Sequence, residues 1–228
     1  MERKLVAING TIGSGKDTFS QVFIDNGFYR VSFAETLKDA VSAIFGWDRE
    51  MLEGTTDESR KIREQPDEYW SSKLGRDVTP RWVLQNLGTD VLRRRFHDNI
   101  WVFAAENKIR NLPCDRVIIT DCRFPNELKM IRENNGTVIE VQRVLPDWYW
   151  DAYAYNLETE RILAGYPLDD ELDRMFGITT DVPPSMKNVH SSEYGWVGIN
   201  RPDYIVENNS TIDALHSQAY SILSNIIK

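Results

Sequence analysis

Gly10-Thr11-Ile12-Gly13-Ser14-Gly15-Lys16-Asp17-Thr18 decides how this chain folds. A short apolar run, Leu5 to Ile8, precedes it, and a helical pattern beginning near Thr18 follows. Strand, glycine-rich loop and helix in that order form the context in which a loop wraps a polyphosphate. The glycines remove the Cβ atoms that would hold the anion away. Successive backbone N–H groups and the helix N-terminus then point at it. Lys16 supplies a point charge for the β- and γ-phosphates. The expected nucleotide contacts are therefore Gly13, Ser14, Gly15, Lys16, Asp17 and Thr18.

One position departs from the usual pattern. The residue after the lysine is commonly Ser or Thr, whose hydroxyl ligates Mg²⁺. Here it is Asp17, and the hydroxyl comes one residue later at Thr18. A Gly-Lys-x-Thr ending looks more like small nucleotide kinases than like GTPases or motor ATPases. Two readings of Asp17 stand side by side: a contact with magnesium through water, or a favourable carboxylate in the first helical turn.

The chain has 228 residues, enough for one domain or one domain with an insertion. With 41% hydrophobic and 27% charged residues, a packed core is expected. A net charge of −8 argues against a long nucleic acid as partner, because no basic stripe is available to neutralise it. Two cysteines, Cys114 and Cys122, are too few for a disulfide framework and read as small core residues. No long apolar run or signal pattern appears, so no membrane partner is expected and the cytoplasm is the expected compartment, a host's cytoplasm for a phage protein. The three histidines lack metal-ligand spacing.

Strands and helices alternate along the chain. Strands are expected at Leu5–Ile8, Tyr29–Phe33, Val117–Thr120, Val138–Val141 and Tyr204–Val206. Helices are expected from Thr18 to Asp25, Glu35 to Phe45, Trp101 to Ile109 and Glu127 to Glu133, with a last one capped by Ser210. Thr79-Pro80 starts another, which runs through Val83, Leu84 and Leu87 towards Phe96. Asp48 to Gly75 reads as a mobile connection with short helices. This rhythm predicts an α/β fold of the P-loop NTPase type, a parallel sheet flanked by helices with ligands at the carboxyl ends of the strands. Leu145 to Trp196 breaks the rhythm with Trp148, Tyr149, Trp150, Tyr153 and Tyr155 in quick succession. Within a single kinase domain spanning 1–228, residues 145–196 read as a helical insertion, a subdomain or lid. Its aromatics suit a local core better than a base clamp.

Beyond the loop, four segments resemble the bacteriophage deoxynucleoside monophosphate kinases, a branch of the P-loop nucleotide kinases. They are SGKDT at Ser14–Thr18, SFAETLKDA at Ser32–Ala40, LQNLGTD at Leu84–Asp90 followed by Trp101-Val102, and ITDCRFPNE at Ile119–Glu127. A weaker fifth runs from Asp203 through Glu207-Asn208-Asn209 into the last helix. The resemblance implies transfer of the ATP γ-phosphoryl group to a deoxynucleoside monophosphate with Mg²⁺ present, small nucleotides as partners, and a homodimer left open. It implies Lys16, Arg81, Asp121 and Arg123 as catalytic groups. For the acceptor it implies Lys38, Arg81, Gly88, Thr89, Asp90, Arg93, Trp101, Val102, Asp121, Arg123 and Glu127. For the metal it implies Asp17, Thr18 and Asp121.

The residues carry their own arguments beside the resemblance. Two anions must meet, so cations are needed around the transferred group. Arg81 lies in a first helical turn, where the dipole disfavours it, and a ligand explains that placement better than structure does. Arg93 stands three residues beyond Asp90, expected on the same side of a helix, although Arg93 to Arg95 also reads as a solvated face. Lys38 reads equally as surface. Asp121 ends an apolar strand, the place of a magnesium-holding carboxylate. Its neighbour is Cys122 where a hydrolytic motor has glutamate. Gly88-Thr89-Asp90 would let a nucleotide approach a helix backbone, and Trp101 would stack on a base or lie in the core. His190-Ser191-Ser192-Glu193 borders the site only weakly in this reading. Other small acceptors, dephospho-coenzyme A or a ribonucleotide, remain as alternatives. So does a non-catalytic nucleotide-binding regulator, although Asn107-Lys108 lacks the rest of a guanine motif.

Overall fold

The computed structural model describes residues 3–165 and 181–228. In chain order the elements are β1 (Lys4–Asn9), α1 (Lys16–Asp25), β2 (Tyr29–Val31), α2 (Glu35–Phe45), α3 (Asp57–Glu64), α4 (Glu68–Leu74) and α5 (Pro80–Gln85). A π-helical stretch, Asn86–Phe96, and α6 (Ile100–Arg110) follow. Then come β3 (Arg116–Ile119), α7 (Pro125–Glu133), β4 (Thr137–Gln142), α8 (Tyr149–Leu163), α9 (Ser191–Tyr194), β5 (Tyr204–Glu207) and α10 (Ile212–Ile226). The chain forms two compact units, one from Met1–Arg30 with Cys114–Lys228, the other Val31–Pro113.

The sheet has the order β2-β3-β1-β4-β5. β1 pairs in parallel with β3 on one side and β4 on the other, and β4 pairs in parallel with β5. A central strand covered on both faces must be apolar on both, and Leu5 to Ile8 are all buried. In the first unit Val6, Ile8, Ile118, Ile139 and Val206 meet Phe19 and Phe23 of α1 and Leu215, Ala219 and Leu223 of α10. The spacing of those α10 residues puts them on one helical face. Phe19 and Phe23 are fully buried, each contributing roughly 1.5–3 kcal/mol relative to exposure. The expected α/β fold with a parallel sheet is what the chain adopts.

Local differences have local reasons. The last helix is capped by Thr211, not Ser210: the Thr211 hydroxyl accepts from Ala214 N at 3.2 Å. Thr211 is the residue with extended backbone immediately before the helix, which a cap requires. The helix begun by Thr79-Pro80 is α only to Gln85 and widens to π over Asn86–Phe96. A three-to-four residue apolar spacing does not separate the two, and π turns gather at functional sites. The connection 48–75 contains α3 and α4, the first begun by a Thr56–Ser59 capping box and the second by Asp67. No helix among the described residues is long and apolar enough to cross a membrane.

Of residues 145–196, the described parts are 145–165 and 181–196, and they group with the first unit. Two of their aromatics enter a local core, while Trp150 and Tyr153 stay exposed. Tyr149 and Trp196 are buried and meet edge to face at 6.3 Å. The Tyr149 hydroxyl donates to Glu140 Oε1 and Asn200 Nδ2 donates to Glu140 Oε2, both at 2.7 Å. A buried carboxylate needs such donors. Burial and the Glu140 carboxylate push the Tyr149 pKa far above its ordinary value.

Candidate active site

The glycine-rich loop leaves the carboxyl end of central strand β1, and its geometry explains its glycines. Gly10 has φ +144° and Gly15 φ +97°. A Cβ on Gly10 would strike the Val141 carbonyl, and one on Gly15 would strike Asn208 Nδ2. That amide is the loop's anchor: Asn208 Nδ2 donates to Ser14 O at 2.9 Å, and Asn208 N donates to Gln142 O at 2.7 Å. At the other end, Asn9 Nδ2 donates to Cys122 O at 2.6 Å, tying β1 to the segment after β3. Asn9 did not stand out in the sequence, whereas Asn208 lay in the weaker fifth segment of the resemblance; each is a polar residue at the end of an apolar strand, a weak signal that fits. Ser14 Oγ is buried and has no hydrogen-bond partner among the described residues. A hydroxyl left so inside a loop of this kind is a donor for an anionic ligand.

Lys16 opens α1, and its ammonium donates to Gly10 O at 2.8 Å and Thr11 O at 2.7 Å. Burial lowers its pKa to about 8, and the Arg123 charge adds to the shift; Asp17, Glu193 and Asp121 oppose it. Asp17 is exposed in the first turn and Thr18 half-buried. Asp17 lies in the first turn of α1, where a carboxylate meets the positive end of the helix dipole.

Asp121 and Arg123 follow the end of β3. Arg123 Nη1 donates to Glu193 Oε1 at 2.9 Å and to Ser192 O at 3.4 Å. Burial works against the Arg123 charge, but the carboxylates of Glu193 and Asp121 outweigh it and hold its pKa above the ordinary arginine value. Glu127 is buried, and its Oε2 accepts from Arg123 N at 2.6 Å and Phe124 N at 3.1 Å. These contacts occupy Glu127 in shaping the chain between β3 and α7 and in capping α7. The same chain turn thus sets the backbone of Arg123.

The second unit holds the other expected residues. Lys38 Nζ donates to Glu53 Oε2 at 2.7 Å, and Glu53 Oε1 accepts from Arg49 Nη1 at 2.5 Å. Arg49 also pairs with Asp39. The Lys38 ammonium therefore serves an internal ion network, a role the isolated helix position did not disclose. Arg81 pairs with Glu64. Gly88 packs against α2: a Cβ there would lie 2.6 Å from Leu37 Cδ2. Trp101 is buried, and its indole N–H donates to Gly88 O at 2.9 Å. The structure so gives the expected stacking residue a place in the core, with Val102 buried beside it in sequence. Thr89 is buried in the π stretch. Asp90 faces Arg94 at 3.1 Å, whereas Arg93 is buried and donates to Asp98 O at 3.1 Å. The stretch that carries Asp90 and Arg93, expected as part of an α-helix, is π-helical.

A parallel sheet whose central strand feeds a glycine-rich loop with its lysine, and whose neighbouring strand ends in Asp-x-Arg, defines a P-loop nucleotide-binding protein. The chain belongs to the deoxynucleotide monophosphate kinase family. Residues 55–148 match the model of that family, described as deoxynucleotide monophosphate kinase. A protein of Acanthamoeba polyphaga mimivirus that carries the name deoxynucleotide monophosphate kinase is 30% identical, over 97% of this chain and 96% of its own. Deoxynucleoside-5'-monophosphate kinase of Escherichia phage T5 is 28% identical over 58% of this chain and 72% of its own. Among solved structures, a gluconokinase from Sinorhizobium meliloti 1021 aligns over 99% of this chain and 94% of its own at 12% identity and a TM-score of 0.42. So loose a likeness adds nothing to the strand order given above.

Proposed function

We propose that this chain transfers the γ-phosphoryl group of ATP to a deoxynucleoside monophosphate, giving the deoxynucleoside diphosphate and ADP. The observation that carries the reading is the pair of cations at neighbouring strand ends. Lys16 follows β1 and Arg123 follows β3; burial lowers the lysine pKa, and the Arg123 charge lowers it further. Two recessed cations in mutual repulsion are poised for an anion that neutralises both. Family membership supplies the class of acceptor.

In the reaction an oxygen of the acceptor phosphate bonds to the γ-phosphorus as the bond from that phosphorus to the β–γ bridging oxygen breaks, and ADP leaves with the electron pair. Such a step asks for positioning and charge stabilisation rather than covalent help. The loop N–H groups, Ser14 Oγ and Lys16 hold the donor phosphates, and Arg123 meets charge on the transferred group. Mg²⁺ fits the oxygen donors present: the Thr18 hydroxyl and the Asp121 carboxylate would hold it, with water completing the shell and Asp17 at most an outer contact. When bound it neutralises phosphate charge. Arg81, with the Gly88–Asp90 stretch, serves the acceptor; Trp101, Val102 and Glu127 support that chemistry by positioning rather than by contact.

Lys16→Ala tests the reading. A folded variant should lose phosphoryl transfer on the order of 10³-fold or more. Near-normal turnover would remove the loop from the mechanism.

A further inference from the structure

The carboxylate that Arg123 meets comes from the 145–196 segment, and its mounting is unusually complete. Glu193 belongs to the one-turn helix α9. Its carbonyl accepts from the buried Trp196 indole N–H at 2.9 Å. Asn156 Nδ2, from α8, donates to Tyr194 O at 2.7 Å and Val197 O at 2.9 Å, clamping the chain that follows Glu193. Gly195 lies against the Arg123 backbone: a Cβ there would be 3.3 Å from Arg123 O and 3.0 Å from Ser191 O. The Glu193 side chain is only 14% exposed, while that of Arg123 is 35% exposed. Only Nη1 of the guanidinium appears in these contacts; a guanidinium carries five N–H donors, so a contact at one edge orients its plane while others stay available.

We propose that Glu193 is a positioning residue for phosphoryl transfer, a fixed carboxylate that presets the Arg123 guanidinium for the transferred group. The inference rests on the kinase reading given above and adds to it a role for the inserted segment. An arginine held before the ligand arrives loses less freedom when the transition state forms.

Glu193→Gln keeps the shape and an acceptor oxygen but removes the charge. Charge-assisted contacts weaken on such a change by a factor on the order of ten to a hundred, and the loss should fall on kcat with the KM for both nucleotides little altered. Glu193→Gln combined with Arg123→Gln should be no slower than Arg123→Gln alone, since one residue acts through the other. Glu193→Asp keeps the charge and should recover part of the kcat that Glu193→Gln loses. A wild-type protein that makes no diphosphate from any deoxynucleotide overturns the kinase reading and this inference with it. An active wild type in which Glu193→Gln leaves kcat unchanged, or in which the two losses multiply, overturns this inference alone.

Discussion

Nucleotide affinity should fall as pH rises above about 8, and Lys16 should be the cause. In the ligand-free protein the ammonium is buried beside Arg123, and its pKa is about 8 against an ordinary 10.5. A bound polyphosphate favours the charged form, so the complex has the higher pKa and binding takes up a proton. The affinity is therefore fully present below the free-protein pKa and is lost as pH rises through it. Each further pH unit costs up to tenfold, or about 1.4 kcal/mol, until the pKa of the complex is reached. The phosphate's own last proton leaves near pH 6, well below this window. Calorimetric titration with ATP between about pH 7 and 9.5, in buffers of different ionisation heat, gives both the affinity and the proton uptake. Lys16→Met should bind weakly and show neither the limb nor the uptake. The linkage also has a folding counterpart. The unfolded chain holds this proton more tightly, so the wild type should gain stability relative to Lys16→Met as pH rises from about 8 towards 10.5. Flat affinity to pH 9.5, or the same limb in Lys16→Met, would refute the reasoning.

Three other outcomes follow from the second unit. Glu53→Gln should destabilise the protein by roughly 1–3 kcal/mol in urea melts at pH 7, because it leaves the recessed Lys38 poorly paired. Burial opposes the Glu53 charge, but Lys38 and Arg49 hold its pKa near 2 against 4.5, so that difference should be present above the ordinary value and vanish as pH falls towards about 2. Gly88→Ala should cost about 1–3 kcal/mol through the Leu37 contact, and Leu37→Ala in the same chain should show a loss smaller than the sum of the two; simple additivity would mean that Gly88 is not a packing residue. Arg81→Lys should lower kcat/KM for the deoxynucleotide about tenfold or more while sparing the KM for ATP, since a single ammonium replaces a two-point phosphate contact. The opposite split would assign Arg81 to the donor.

The elements that position the loop were legible because their signals are local. A continuous apolar run at Leu5–Ile8 can only be a covered strand, and the glycines after it mark a turn around an anion. The Asp-x-Arg at the end of β3 was visible for the same reason. What stayed hidden depends on partners distant in sequence. Lys38 looked like surface because Glu53 and Arg49 lie on a polar connection whose fold no periodicity declares. Trp101 carries no mark that says whether its indole meets a base or the Gly88 carbonyl. Asn208 reaches Ser14 across 194 positions, and Glu193 reaches Arg123 across 70; only the assembled first unit brings them together. The π stretch escaped because its hydrophobic spacing also fits an α-helix.

The most direct test of the central claim is the stoichiometry of product formation by the wild-type protein. ATP, Mg²⁺ and each deoxynucleoside monophosphate in turn would be incubated with the protein, and ADP and deoxynucleoside diphosphate separated and quantified by ion-exchange chromatography. The account predicts that the two products appear in equal amounts with at least one deoxynucleotide, and that ADP does not form when the acceptor is omitted. ADP released at the same rate with and without acceptor, or transfer only to a ribonucleotide or to dephospho-coenzyme A, would contradict it.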